Sequence, residues 1–237
     1  MNEWLKQQTD LLGIAIDQVA LERLAVYQRL LAVWNERINL TSITELKAVY
    51  ELHFLDSLSV QLVTDICQVD SLVDVGTGAG FPGVVLACVF PNLRVTLMDA
   101  TEKKIEFLRL LSAELGLSGR VDTVCLRAEQ AGQAKALRER FTLAVSRGVA
   151  RLSVLAEYCL PLVSVGGLFV AMKGPGLSAE LGEAGSAMRL LGAGSPKLVE
   201  WQLPSGAGRT LLAAPKVQGT PCGYPRRVGL PAKRPLH

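Results

Sequence analysis

Residues 71–83 read SLVDVGTGAGFPG, an apolar run that ends in Asp74-Val75 and passes directly into a glycine-rich loop. A short apolar run bounded by turn residues is typical of a buried strand. Glycine tolerates positive φ angles and lets the backbone pass close to a ligand. Apolar residues with helical spacing follow from about residue 82. The stretch therefore predicts a strand, a ligand-binding turn and the start of a helix.

The same alternation of apolar runs and helical patterns continues along the chain. It predicts strands at 72–75, 94–98, 121–126, 143–146 and 168–173, and helices at 82–90, 102–115, 129–140 and 151–163. Two later runs, 198–203 and 211–214, flank the turn Pro204-Ser205-Gly206 and predict a closing hairpin. We therefore predict an α/β fold with a mostly parallel, Rossmann-like sheet of seven strands and helices on both faces.

The two ends of the chain differ in pattern from this core, which we place at 69–217. The N-terminal part, 1–68, contains an amphipathic helix at 17–34 and a second helical stretch that follows Thr44 as N-cap, so we expect a helical extension packed on the core. The segment 218–237 has four prolines and no acidic residue, and indicates a basic, extended tail.

Composition restricts the remaining possibilities. The formal net charge of +3 is too small to indicate a nucleic-acid partner by itself, because binding needs cations gathered on one face. The five cysteines are odd in number and widely spaced, so we expect them to be reduced. There is no signal-peptide pattern, no apolar run long enough to span a membrane and no Cys/His cluster with metal-binding spacing. We expect a soluble, cytoplasmic, metal-free monomer.

Two kinds of cofactor compete for the glycine loop. Residues 78–83 formally match the dinucleotide pattern G-x-G-x-x-G. The tight turn after the strand should, however, carry the first glycine of that pattern, which is Gly76, and the third then falls on Phe81. The loop Gly76-x-Gly78-x-Gly80 after Asp74 instead suits a ligand without a pyrophosphate, such as S-adenosylmethionine.

Acidic residues follow the next two predicted strands. Asp99 closes the second strand in Asp99-Ala100-Thr101, where a carboxylate can accept both hydroxyls of a ribose or can cap the next helix. Ala128-Glu129 follows the third strand and can line an adenine, although Glu129 also suits the first turn of a helix. Both positions fit either cofactor.

Several motifs, taken together and in this order, resemble the RsmG (GidB) family over nearly the whole chain. They are Asn39-Leu40-Thr41-Ser42, His53-Phe54-Leu55-Asp56-Ser57, residues 74–83, Ser146-Arg147-Gly148, Lys173-Gly174 and Tyr224-Pro225-Arg226-Arg227. The resemblance implies a class I methyltransferase that uses S-adenosylmethionine to methylate N7 of a guanine in the decoding-region (530) loop of 16S rRNA. It implies cofactor contacts at Gly76, Phe81, Ala128, Glu129 and Arg147, with residues 99–101 near the ribose. The family often has Ala where this chain has Gly148.

The chemistry of N7 methylation agrees with the motifs that the chain lacks. Guanine N7 has an in-plane lone pair and no proton, so no base has to act before methyl transfer. The chain has no Asn/Asp-Pro-Pro-Tyr/Phe motif of the kind used for exocyclic amines. Rate then comes from positioning, and Arg147 is our candidate for shaping the pocket, with a structural ion pair as the alternative.

We expect 16S rRNA or the small ribosomal subunit to be the partner. No named RNA-binding module is present, so the candidate RNA contacts are dispersed cations: Lys103, Lys104, Lys173, Arg226, Arg227, Lys233 and Arg234. His53 and Asp56 share a helix, and we expect a local hydrogen-bonded pair that fixes the N-terminal helices. Three alternatives stay open: a methyltransferase with another substrate, a nicotinamide-dependent oxidoreductase and a non-catalytic RNA-binding protein.

Overall fold

A single seven-stranded sheet forms the centre of the computed structural model, which describes residues 1–236. The strand order is β3-β2-β1-β4-β5-β7-β6; β1 to β5 run parallel, and β7 runs antiparallel to both β5 and β6. The strands are β1 Ser71–Val75, β2 Arg94–Asp99, β3 Val121–Cys125, β4 Phe141–Arg147, β5 Val163–Lys173, β6 Lys197–Gln202 and β7 Gly208–Pro215. The predicted fold and its closing hairpin are confirmed.

Helices cover both faces of this sheet. They are α1 Asn2–Leu11, α2 Gln18–Asn35, α3 Leu46–Val49, α4 Asp56–Leu58, α5 Gly83–Val89, α6 Glu102–Glu114, α7 Ala128–Ala131, α8 Leu152–Cys159, α9 Leu177–Leu190 and α10 Leu230–Lys233. A π-helical turn, Tyr50–Leu55, joins α3 to α4. In the part of the chain that the structure describes, no helix is both long and apolar enough to cross a bilayer.

The N-terminal helices brace the glycine loop. Tyr27 of α2 is completely buried and its hydroxyl donates to the carbonyl oxygen of Ala79, 2.6 Å away. The buried Glu51 accepts from the backbone N–H of Ser205, at 2.6 Å, in the turn between β6 and β7. These helices also share one hydrophobic cluster with α5, α6 and one face of the sheet. The N-terminal helices therefore support the glycine loop through Tyr27.

Two local predictions are wrong. The N-cap of α3 is Glu45 rather than Thr44, because the Glu45 carboxylate accepts from the N–H groups of Lys47 and Ala48. The helix predicted at 129–140 ends after one turn, at Ala131. A β-carbon on Gly132 would lie 2.7 Å from Pro225, which belongs to the C-terminal segment Thr220–Leu236. Tertiary packing rather than helical spacing therefore determines the conformation of the chain there.

The C-terminal segment is packed on the core, whereas the sequence predicted an extended tail. Pro225 and Pro231 are buried, and Leu230–Lys233 form the short helix α10. The cationic side chains of Arg227, Lys233 and Arg234 stay exposed. His237, the last residue of the predicted tail, lies outside the described residues.

Candidate active site

A cavity of about 510 Å³ opens at the carboxyl ends of β1, β2 and β4. The order of strands reverses direction beside β1, and ligands of open α/β sheets bind at such a switch point. The volume lies within the usual range for small-molecule sites. Most of the predicted cofactor residues line this cavity: Gly76, Gly78, Phe81, Asp99, Ala100, Thr101, Ala128, Glu129 and Arg147.

The glycine loop adopts backbone angles that explain its composition. Gly76, Gly78 and Gly80 have φ angles of 72°, 60° and 104°, in the region that residues with a β-carbon avoid. The N–H groups of Gly76 and Thr77 both donate to the carbonyl oxygen of Met98, at 2.9 and 3.0 Å. The end of β2 thus fixes the turn, and nearly bare backbone faces the cavity.

Asp74 and Gly80 support the loop from behind and do not line the cavity. The Asp74 carboxylate is fully buried, and its Oδ2 accepts from the Thr77 hydroxyl, at 2.7 Å, and from the Gly83 N–H, at 2.8 Å. Its Oδ1 has no partner among the described residues, and burial raises the pKa of Asp74 to about 6. A cationic group bound against the loop would offset this burial, which fits a sulfonium or ammonium ligand.

Asp99 presents a carboxylate at the end of β2, as the sequence predicted. Its Oδ1 accepts from the N–H of Thr101 at 2.9 Å and its Oδ2 from the N–H of Gly78 at 3.2 Å, while Lys104 Nζ lies 3.5 Å away. Each carboxylate oxygen has two lone pairs, so both oxygens keep acceptor capacity for hydroxyl groups. The residues present at the cavity therefore fit an adenosine-containing sulfonium compound.

Glu129 lies at the far end of the cavity, in the single turn of α7. Its side chain is buried, and Oε1 accepts from the backbone N–H of Gly229 at 2.8 Å. Tyr158 of α8 also lines the cavity; burial, the largest cause, and the negative charge of Glu129 raise the pKa of its hydroxyl. The N–H of Gly229, far away in sequence, thus holds the Glu129 carboxylate.

Arg147 is the centre of a polar cluster at the end of β4. One nitrogen, Nη1, donates to the carbonyl oxygen of Leu52 and to Asp56 Oδ2, both at 3.1 Å. The other, Nη2, lies 3.1 Å from His53 Nδ1, and the guanidinium carbon is 5.0 Å from the centroid of the Phe81 ring. The expected His53–Asp56 pair is therefore replaced by two separate contacts with the same arginine.

The geometry of this cluster assigns the tautomer of His53. An arginine only donates, so Nδ1 accepts and Nε2 carries the proton toward the hydroxyl of Thr41, 2.9 Å away. Burial, aided by the charge of Arg147, lowers the pKa of His53 to about 3. The ring also stacks on Phe81, with centroids 4.3 Å apart. His53 is a neutral support for Arg147.

The low pKa of His53 makes the fold sensitive to acid. Between pH 6.5 and pH 3 the unfolded chain takes up a proton on His53 that the folded chain refuses, so stability falls as pH falls, by about 1 kcal/mol per pH unit. Replacing His53→Gln removes this loss. We expect the free energy of unfolding of the wild type, minus that of the variant, to decrease from pH 6 to pH 4 in urea titrations. Asp74 titrates in both proteins and cancels; parallel curves would contradict the assignment.

A second cavity, of about 630 Å³, adjoins the first and shares His53, Arg147, Gly148 and Val149 with it. Its wall carries four cations and one carboxylate: Arg147, Arg151, Lys173, Arg209 and Asp56. Asp56 lies between two of them, with Arg209 Nε 3.0 Å from Oδ1. Lys173 and Arg151 also pair with Glu180 and Glu183, at 3.0 and 3.2 Å, so the four cations meet three carboxylates and one positive charge remains in excess.

The predicted RNA contacts divide into internal and exposed groups. Lys173 forms an ion pair with Glu180, at 3.0 Å, and Arg226 forms one with the fully buried Glu157, at 2.6 Å. We therefore correct the expectation for Arg226, which is committed to a structural pair, while Lys173 still borders the second cavity. Lys104 lines the first cavity beside Asp99. The exposed members are Lys103, Arg227, Lys233 and Arg234.

Sequence reasoning missed several residues of the site. Tyr158 and Arg209 lie in ordinary helix and strand patterns, and nothing in those patterns predicts that the two residues line a cavity. Thr41, which lines the first cavity, lies within a motif that carried the family resemblance, although no role was assigned to it.

Solved structures of methyltransferases share the fold of this protein. A SAM-bound geranyl diphosphate methyltransferase aligns with a TM-score of 0.53 at 18% identity and covers 75% of this chain and 92% of its own. A SAM-dependent O-methyltransferase from Thermotoga maritima aligns with a TM-score of 0.52 at 15% identity, over 81% and 73%. The chain therefore has the fold of class I S-adenosylmethionine-dependent methyltransferases, and its glycine loop and the carboxylate that ends β2 lie at the edge of the sheet where ligands of such folds bind.

Sequence comparison identifies the family. The model of the family described as rRNA small subunit methyltransferase G matches residues 20–203. Proteins of that name from Brevibacillus brevis and Alkaliphilus metalliredigens are each 44% identical to this chain; the alignments cover 94% of both chains for the first, and 98% of this chain and 97% of the relative for the second. The chain belongs to the ribosomal RNA small subunit methyltransferase G family.

Proposed function

We propose that this chain transfers the methyl group of S-adenosylmethionine to N7 of a guanine in the decoding-region loop of 16S rRNA, acting in the cytoplasm as a monomer. The family supplies the substrate class. The observation that supports the chemistry is the state of His53, which borders both cavities: its ring nitrogens are occupied by Thr41 and Arg147, and its pKa is lowered to about 3 by burial, so the ring is not available as a base.

We place the cofactor along the first cavity. Gly76 and Gly78 would hold its amino-acid end, Asp99 would accept from its ribose hydroxyls, and Ala128 and Glu129 would line its adenine. Ala100, Thr101 and Phe81 complete the wall. When bound, the cofactor supplies an electrophilic methyl group on a sulfonium. Asp74 and Gly80 act indirectly, by holding the loop.

An acceptor without a proton fits the polar groups around this cavity. His53 has both ring nitrogens occupied, by Thr41 and Arg147. Both oxygens of Asp99 accept backbone N–H groups. Guanine N7 needs none of these groups as a base. Positioning therefore carries the reaction, and well-oriented groups can contribute about 7–11 kcal/mol.

We place the acceptor guanine in the second cavity. Arg147 borders both cavities, so it lies where the methyl donor and the acceptor meet. Its Nη2 and Nε keep N–H groups beyond the three contacts described above, and guanine O6 or a phosphate oxygen can accept them. The excess positive charge of this wall, to which Lys173, Arg151 and Arg209 contribute, then offsets part of the phosphate charge of the RNA chain.

Labelled methyl transfer tests this function. The protein is incubated with methyl-labelled S-adenosylmethionine and, separately, with free 16S rRNA, small subunits and ribosomes from cells that lack the activity. We expect label as 7-methylguanine at one position in at least one of these substrates. Label on another nucleoside would overturn the proposed acceptor. Cofactor binding without transfer to any particle would favour a non-catalytic RNA-binding protein.

The exposed cations of the C-terminal segment should contribute to RNA binding. Reversing one charge with Arg227→Glu should weaken RNA binding and lower the slope of log K against log salt by about one to two, because one phosphate contact is lost and a repulsion is added. The affinity for S-adenosylhomocysteine should stay unchanged. Salt-dependent binding titrations with substrate RNA measure both effects.

Arg140→Glu is the matched control for this experiment. Arg140 is also exposed, but it precedes β4 and lies at the amino edge of the sheet, opposite the cavity. We expect a smaller change in the salt slope for Arg140→Glu than for Arg227→Glu. Equal slopes for the two variants would show that overall charge, and not this segment, determines binding.

A further inference from the structure

The C-terminal segment, Thr220–Leu236, is attached to the core by strong polar contacts beside the cofactor cavity. The guanidinium of Arg138 donates to the carbonyl oxygens of Thr220 and Tyr224, at 2.6 and 2.7 Å. Arg226 meets the buried Glu157 of α8 through its backbone N–H, its Nε and its Nη2. A buried charge pair of this kind is costly to break. The segment is therefore part of the folded core and not a free appendage.

The segment also packs on α7, an element too short to hold its own orientation. A single helical turn has little intrinsic stability, so tertiary contacts must fix it. Gln133 Nε2, just beyond α7, donates to the carbonyl oxygen of Pro225 at 2.8 Å, and the ring of Pro225 lies against Gly132. The position of α7, and with it one end of the cavity, thus depends on the C-terminal segment.

One contact reaches the cavity wall itself. The N–H of Gly229 donates to Oε1 of Glu129, at 2.8 Å. Gly229 has a φ of +79° and a β-carbon there would meet no atom within 4 Å, so glycine is needed for the backbone turn and not for space. The turn directs a backbone donor at a buried carboxylate that lines the cofactor cavity.

We infer that Gly229 is a positioning residue of the cofactor site: its N–H orients the Glu129 carboxylate so that the carboxylate selects an adenine base. This inference rests on the proposed placement of the cofactor. The charge-assisted hydrogen bond from Gly229 fixes Oε1 of Glu129, and the carboxylate can still accept a hydrogen bond from the exocyclic amine of adenine. A base with a carbonyl oxygen at that position, such as hypoxanthine, meets repulsion instead. Selectivity for the amine then requires a fixed carboxylate.

Two substitutions at one position separate the loss of the N–H from strain in the turn. Both variants disturb a φ of +79°, which proline cannot adopt and which alanine adopts only with strain, but only Gly229→Pro also removes the donor. Calorimetry measures the affinities for S-adenosylhomocysteine and for its hypoxanthine analogue, S-inosylhomocysteine. We expect Gly229→Pro to weaken S-adenosylhomocysteine binding about tenfold and to lower the preference for adenine. Gly229→Ala should retain most of both.

A double-mutant cycle tests whether the effect passes through Glu129. In a Glu129→Ala background, Gly229→Pro should change the affinity by less than about twofold. An equal loss with and without Glu129 would overturn the inference, as would an unchanged adenine preference in Gly229→Pro. If Gly229→Pro fails to fold, a chain ending at Val228 takes its place, because it keeps the Arg226–Glu157 pair.

The outcomes distinguish this inference from the proposed cofactor site. No binding of S-adenosylhomocysteine by the wild-type chain would overturn the site and the inference together. Wild-type binding that Glu129→Ala leaves unchanged would overturn the inference and the role of Glu129 only. Val228→Ala is the neighbouring control, since Val228 is 51% exposed, and it should bind as the wild type does.

Discussion

Replacing Gly78→Val should weaken S-adenosylhomocysteine binding by more than about 100-fold and abolish methyl transfer. Gly78 lines the cavity, and a β-carbon there would have only the carbonyl oxygen of Gly76 near it, at 4.0 Å. The branched side chain therefore extends into the space that we assign to the ligand. A β-branched residue at a φ of +60° also strains the turn, by roughly 1–2 kcal/mol. Calorimetry and the labelled-transfer assay measure the two losses.

Gly116→Val separates steric exclusion from backbone strain. Gly116 follows the end of α6 with a φ of +65°, and a β-carbon there would meet no atom within 4 Å. Both variants should lower the melting temperature by a similar few degrees, at about 2–4 °C per kcal/mol for a chain of this size. Only Gly78→Val should lose the ligand. Comparable losses of ligand affinity in the two variants would show that the glycine loop is not part of the cofactor site.

The sequence predicted the sheet well because each strand has its own local signal. The runs at 72–75 and 143–146 lie within β1 and β4, since central strands that are buried on both faces are mostly apolar. The glycine loop and Asp99 were found for a similar reason: residues at the carboxyl end of a parallel strand meet at one edge. These features depend on residues that are neighbours in the chain.

The missed features depend on contacts between distant parts of the chain. The helix predicted at 129–140 is broken where Gly132 packs on Pro225, about 90 residues later, and helical spacing carries no information about that contact. Arg226 looked like a surface cation, because the sequence does not show that Glu157 is buried beneath it. His53 and Asp56 were expected to pair with each other because of their spacing, yet each contacts Arg147 instead, which lies about 90 residues away in the chain.

The predicted boundaries at residues 68 and 217 remain a prediction. Cluster contacts join the N-terminal helices to α5 and α6, and Tyr224 and Leu236 of the C-terminal segment pack on the cluster beneath β4 and α8. The basic composition of that segment indicated RNA contacts, whereas we infer that its backbone also holds Glu129 at the cofactor cavity. Composition describes side chains, so it gives no information about the buried backbone carbonyl and N–H groups through which the segment contacts the core.

Replacing Arg147→Lys should lower kcat for methyl transfer about 100-fold while it changes the affinity for S-adenosylhomocysteine by less than about tenfold. The planar guanidinium reaches Leu52, Asp56 and His53 at once, and an ammonium point charge cannot span all three. Asp56 keeps Arg209 as a partner, so no buried carboxylate loses its last cation and the fold survives. A misplacement of about 1 Å between donor and acceptor is enough for a loss of this size.

Arg209→Lys changes the other partner of the same carboxylate and is the matched control. Arg209 borders the second cavity but not the first, so this variant should act mainly on KM for the RNA and leave kcat within about tenfold of the wild type. Steady-state and single-turnover kinetics with the substrate particle separate the two parameters. If both variants lowered kcat equally, the rate would depend on the charge around Asp56 and not on the planar guanidinium of Arg147. A lower kcat in Arg147→Lys alone would indicate that this guanidinium acts where the methyl donor meets the purine.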